Sequence, residues 1–168
     1  MNLADFDTLF AYSDACREQL RDVLLHHEEH FTKPFPTTSR YDTIQKLLAH
    51  CVGAEERWIT RRIRGEALPL IYEDRSANTV EGLFADARTV RRVTDDFRRS
   101  LDANSCHRII SVSLSESDAA LELSLADILF HILNHENFHR GQIITLLQQN
   151  GNDPPDFDYV FLKSATAL

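Results

Sequence analysis

Two imidazoles four residues apart, His135 and His139, stand in the string His135-Glu136-Asn137-Phe138-His139-Arg140-Gly141-Gln142. On a helix, positions i and i+4 share a face with Cβ atoms about 5–6 Å apart, a reach over which two ring nitrogens converge on one metal ion. Ile132, Ile143 and Leu146 lie on or beside that face, so the pair is expected to look inward. The chain has eight histidines. His50, in Leu47-Leu48-Ala49-His50-Cys51-Val52, is the only other one in a mid-helix apolar context outside that segment, which makes it the natural third ligand. His131 stands one turn earlier, but two turns of rise, about 12 Å, separate it from His139. It is read as a packed or hydrogen-bonding residue. His26, His27 and His30 contain another i,i+4 pair, at a helix end where protonated histidine suits the C-terminal dipole. Cys51 points about 100° away from its neighbour His50 and cannot easily join it on one ion.

Three neutral imidazoles leave a coordination position open, the mark of a catalytic rather than a structural site. Such a site permits hydrolysis by an activated water or transfer of an activated thiolate onto an electrophile. Imidazole suits zinc, nickel, copper or iron, with zinc or nickel the leading expectation. The same string also reads H-E-x-x-H, the zinc-peptidase signature in which the glutamate is general base. The extended form of that signature needs a glycine where Gln142 stands and a histidine where Thr145 stands. A zincin with a downstream Glu ligand would need an acid on a following helix, and no Asp or Glu follows Asp158. Glu136 lies about 100° around the helix from His135, so it is expected to serve as an inter-helix partner rather than as a base, and it is the one catalytic candidate. Arg140 and Gln142 are read as packing or dimer residues. Gly141 costs about 1 kcal/mol in a helix relative to Ala, and its position suggests close approach by a neighbouring backbone.

The elements that must position these groups are helical. All five prolines fall between apolar-periodic segments, as do Gly65 and Gly151. A first helix is predicted over about Leu3 to His30. A second starts with Asp42 as cap and Gln45 as its box partner, and ends near Gly65 and Pro69. A third starts near Asn78 or Thr79 and runs to about Leu101. The alternation of Ile109–Leu114 and Ala119–Leu123 predicts a small β-hairpin with its turn at Ser115–Asp118. Ser124 and Asp127 cap the fourth helix, which stops at Asn150-Gly151. Phe157, Tyr159, Val160 and Phe161 are then expected to fold back. Gly53, Gly82 and Gly141 lie inside predicted helices and count slightly against them. The pattern reads as an all-α four-helix bundle forming a single domain over residues 1–168.

Composition sets further bounds. Lys plus Arg is 18 against 26 for Asp plus Glu, a net charge of −8, and no basic block offsets it. Nucleic-acid binding is therefore disfavoured. No apolar run approaches the roughly 20 residues of a membrane span, and the N-terminus carries no signal-peptide pattern. Three widely spaced cysteines, Cys16, Cys51 and Cys106, fit reduced thiols in the cytoplasm.

Leu48-Ala49-His50 with Glu55 or Glu56 and Trp58, followed by Leu133-Asn134-His135-Glu136 and His139-Arg140-Gly141-Gln142, resembles the DinB/YfiT-like family. The terminal Pro155-Asp156-Phe157 segment and the helix order extend the resemblance over almost the whole chain. It implies a four-helix bundle, usually a homodimer, with a divalent metal held by three histidines; carried over, these are His50, His135 and His139. It also implies an enzyme of the metal-dependent type, a hydrolase or a transferase or isomerase using a low-molecular-weight thiol, acting on a small molecule. Many members have no established reaction, so a non-catalytic metal- or ligand-binding bundle, acting as a sensor or interaction module, is the alternative. The family name refers to DNA damage and implies no contact with DNA.

Overall fold

The computed structural model describes residues 1–67, 72–75, 77–114 and 119–161. Four long helices carry the structure: α1 (Leu3–His26), α2 (Ile44–Glu56), α4 (Val80–Arg99) and α5 (Leu125–Gln149), with a short α3 (Tyr72–Arg75) between α2 and α4. A two-stranded antiparallel hairpin, β1 (Ile109–Val112) and β2 (Leu121–Ser124), precedes α5 with Ile109 opposite Ser124. This is the expected all-α bundle with its small hairpin. The turn predicted at Ser115–Asp118 and the helix stop at Pro69 lie outside the described residues.

Local chemistry explains the boundaries. Ser124 and Asp127 form a reciprocal capping box at the start of α5, and Gly151 beyond its end adopts φ 83°. Asn2 and Asp5 cap α1 in the same way. The first helix stops at His26, earlier than expected, and a 3₁₀ turn over Glu28–His30 follows. The cap of α2 is Thr43 rather than Asp42: its hydroxyl accepts the Lys46 amide, while Asp42 pairs with the Lys46 ammonium at 2.6 Å. Gln45 bonds Ala77 and Asn78 instead of closing a box. After Glu56 the helix widens into a π-helical stretch, Arg57–Ile63, closed by the Arg64 amide on the Ile59 carbonyl. Gly65 ends it at φ 68°. Of the C-terminal residues, Phe157 is buried and its carbonyl accepts the Tyr12 hydroxyl, and Tyr159 meets the Tyr12 ring edge-on. Val160 and Phe161 are exposed, contrary to expectation.

The core has two apolar clusters separated along the bundle. One joins Leu20 and Leu24 to Leu47, Leu83 and Ile143; the other joins Phe6 and Phe10 to Trp58, Leu125 and Ile128. The order in which each helix meets them shows that α1 and α5 run one way and α2 and α4 the other. Between the clusters, every long helix contributes polar groups that are buried or, for Arg17, nearly so: Ser13 and Arg17, Glu55, Arg91 and Thr94, Glu136 and Arg140. Arg17 donates to both oxygens of Glu136 at 2.8 Å and to Glu55 at 2.7 Å. Arg91 reaches Glu136 at 3.1 Å and Ser13 donates to it at 2.9 Å. Burial alone would raise the Glu136 carboxyl, but Arg17 and Arg91 pull it down to about 2.

Among the described residues, no helix is long and apolar enough to cross a membrane. All three cysteines are free and buried.

Breaking a buried pair by removing one partner typically costs about 3–5 kcal/mol, because the other charge stays desolvated. Glu136→Gln is therefore expected to destabilise the fold by about 3 kcal/mol at neutral pH in urea titrations. Because the folded-state pKa is depressed, this contribution is fully present above the ordinary carboxylate range and disappears as pH falls through about 2. The stability gap between wild type and variant should close over that window; a gap constant with pH would contradict the ion-pair account.

Candidate metal centre

α5 presents two sides at the level of the polar layer. Glu136 points into the bundle, while His135 and His139 turn toward α2, where His50 meets them. One donor atom from each of the three lies within 4.8 Å of the others. Ring centroids are 4.8 Å apart for His50 and His135, 5.1 Å for His50 and His139, and 4.6 Å for His135 and His139. The three expected ligands are thus brought together.

The outer nitrogens are held. His139 Nδ1 donates to Gln142 Oε1 at 2.7 Å, which leaves its Nε2 as a lone pair. His50 Nδ1 faces Glu73 Oε2 at 3.4 Å. Burial would raise the Glu73 carboxyl, but hydrogen bonds from Arg57 and Tyr41 outweigh it, so the carboxylate stays ionised and can only accept. The proton on His50 belongs on Nδ1 for the same reason, and Nε2 carries the lone pair that faces the other histidines. The Tyr41 ring stacks on His50 at 4.1 Å and restrains its plane. His135 Nε2 then sits 3.1 Å from His50 Nε2. Two ligands at about 2.05 Å from a tetrahedral ion are separated by roughly 3.3 Å, so His50 and His135 have the spacing of two ligands on one cation, while the widest donor separation in the trio, 4.8 Å, must shorten for all three to bind it. Burial, and then the neighbouring His139 and His50, push the His135 pKa down to about 4, and burial lowers His50 as well. Neutral imidazoles are the form that binds metal.

Other sequence expectations are met in part. His131 is exposed, with its ring edge on Trp58 at 5.0 Å and 5.7 Å from His135. It stays a packed residue beside the site. His27 contacts Asn152 and stacks at 6.3 Å on His30, away from the three ligands. Glu136 is an inter-helix partner, with both oxygens committed to arginines. Arg140 packs: it is buried, donates to Asn137 at 2.9 Å and lies over the Tyr12 ring. Gln142 is more than a packing or dimer residue, since it holds the outer nitrogen of His139, a candidate ligand.

Among the described residues no close approach occurs at Gly141, where a Cβ would meet nothing within 4 Å. One occurs at Gly53. A Cβ on that residue would lie 3.0 Å from Glu73 Cβ and 3.2 Å from the Glu73 amide nitrogen. α3 packs on α2 at this point, and Glu56 accepts the Tyr72 amide at 2.9 Å to anchor it. Sequence reasoning did not find Glu73. The available signal was Gly53, a residue unfavourable in a helix interior unless something needs the space.

Groups that orient metal ligands typically contribute about 10–100-fold to metal affinity. Gln142→Ala and Glu73→Gln are expected to weaken zinc binding within that range in competition titrations with a chromophoric chelator, without loss of the fold. Gly53→Ala keeps every one of these side chains and should weaken binding in the same direction by displacing α3. If it instead raised thermal stability and left affinity unchanged, α3 would not be positioning His50.

The model of the DinB family matches residues 1–167 of this chain. A crystal structure of a DinB-like protein from Bacillus cereus ATCC 10987 superposes with a TM-score of 0.72 at 16% identity, covering 92% of this chain and 97% of that one. No curated protein matches the sequence. The structural likeness supports the bundle fold, and the family match spans helices, hairpin and histidines together. This chain belongs to the DinB family.

Proposed function

We propose that the chain is a metal-dependent enzyme acting on a small molecule, either as a hydrolase or as an S-transferase that uses a low-molecular-weight thiol. The observation that carries this reading is the set of three imidazoles with a common donor side, at least two of them braced from behind. The open position that three ligands leave is what distinguishes a reactive centre from a structural one. His50, His135 and His139 would hold the cation, zinc or nickel in the first instance. A divalent cation so held supplies Lewis acidity, lowering the pKa of water to about 7 and favouring the thiolate form of a thiol.

The chain's own groups prepare the site for either reaction. Gln142 and Glu73 fix the tautomers of His139 and His50, so that no proton must leave before a ligand bond forms. Glu136 is held as a carboxylate by Arg17 and Arg91 inside the bundle, which argues against peptidase chemistry with this residue as base. The buried free thiols favour a reducing compartment, which we take as the cytoplasm, and the homodimer is what the family resemblance implies.

Purified untagged protein should contain close to one divalent ion per chain, and His135→Ala should lose it. Chelation should abolish turnover in a panel pairing electrophiles with different thiols, alongside simple esters and amides, and the ion should restore it. Metal-free wild-type protein whose metal content is unchanged in His135→Ala would refute the reading. Full occupancy without turnover on any member of the panel would favour a non-catalytic sensor or interaction module.

A further inference from the structure

We propose that the seam between α2 and α5 beside the three histidines binds an organic anion, and that Arg62 is the anchor for its charged oxygens. The substrate, or a thiol co-substrate, would carry a carboxylate-like group on an arm running from the histidines past His131 and Trp58. This deepens the metal-centre reading and rests on it.

Four observations support the assignment. First, an unbroken row of rings leads from the site to Arg62: His135 to His131 at 5.7 Å, His131 to Trp58 at 5.0 Å, and the Arg62 guanidinium over the Trp58 indole at 4.6 Å. Second, among the described residues Arg62 is the only partly or fully buried arginine without a carboxylate within ion-pair distance. Arg17, Arg21, Arg57, Arg91, Arg98 and Arg140 each have one. In a chain with 26 acidic residues against 18 basic ones, a half-buried cation without an acid runs against composition. Third, its charged neighbours have the wrong sign: burial, then Arg57 and Arg61, all disfavour its charge. An anionic ligand relieves that repulsion. Fourth, the Arg62 guanidinium carbon sits 4.6 Å over the Trp58 ring, and a guanidinium supported on an aromatic face can offer its edge N–H groups as a fork of two parallel hydrogen bonds to an oxyanion. The π-helical stretch carries both Trp58 and Arg62, so the segment where α2 departs from regular geometry is the one that builds this wall.

A purely structural role is the competing account, in which Arg62 only covers Trp58, whose exposure is 6%. Arg62→Met separates the two, since it keeps an apolar cover over the indole and removes the charge; Arg62→Lys keeps the charge without the fork. The probe is a series of ω-mercapto carboxylic acids of graded chain length, each paired with the ω-mercapto alcohol of equal length, titrated into cobalt(II)-loaded protein. Thiolate binding is read from the cobalt absorption spectrum. In wild type the acid should bind roughly tenfold or more tightly than its alcohol once the chain spans to Arg62, the effect expected of a charged hydrogen bond. Arg62→Met should lose that preference with cobalt content and alcohol affinity unchanged, and Arg62→Lys should keep part of it. Equal binding of acid and alcohol at every length, or a preference that survives in Arg62→Met, overturns the anchor while the metal centre stands. Failure of wild type to hold cobalt overturns the metal centre, and the anchor with it.

Discussion

Arg17 of α1 and Arg91 of α4 close on one carboxylate of α5, and the rest of the site depends on the rotation they impose. A helix packed only by leucines and isoleucines can turn by part of a residue at small cost, since apolar contact has no preferred direction. Glu136 removes that freedom, because its oxygens must stay within about 3 Å of donors on two other helices. Its chain neighbour His135 and the following His139 are then aimed at α2 as a consequence of covalent geometry. Glu55, on α2, is bound by the same Arg17, so the helix that brings His50 is registered against the helix that brings its partners. The buried ions are thus less a source of net stability than a device for alignment. Desolvation offsets much of what such pairs gain by attraction.

The polar layer also explains why two apolar clusters exist instead of one. Ser13, Glu55, Thr94 and Glu136 fall at the same height on four helices, and the hydrophobic pattern breaks there in each. The three histidines lie beside that layer, with His139 buried and His50 and His135 partly buried. A metal-binding group needs both a dry, fixed support and an open side. The layer supplies the first, and the partial exposure of His50 and His135 the second.

Much of this was legible in the residues. The i,i+4 histidines, the isolated mid-helix His50 and the Ser124–Asp127 cap are local signals with direct structural meaning, and each is found where its chemistry required. The hairpin was legible too, because alternation of β-branched residues has no helical explanation. What escaped were features decided by tertiary contact. Thr43 displaced Asp42 as cap because Lys46 supplied Asp42 with a partner. The π-helical turn at Arg57–Ile63 has no periodic signature distinguishable from an ordinary helix over so few residues. Glu73 lies in a four-residue helix with no apolar period of its own, and it becomes meaningful only when α3 settles on Gly53. Gly53 and Gly141 look alike in sequence, and only packing separates a glycine that clears a path from one that faces empty space.

The braces behind His139 and His50 differ in origin. Gln142 is three residues from His139 on the same helix, so ligand and brace move as one rigid body. Glu73 belongs to α3 and reaches His50 across a packing contact, so that half of the cage depends on a separate element. A metal held by the three histidines would therefore sit in a vise with one fixed jaw and one adjustable jaw. Anything that shifts α3 by a fraction of an ångström would retune His50 alone, so the grip on an ion held there would be altered from outside the bundle without disturbing the helix that carries the other two histidines.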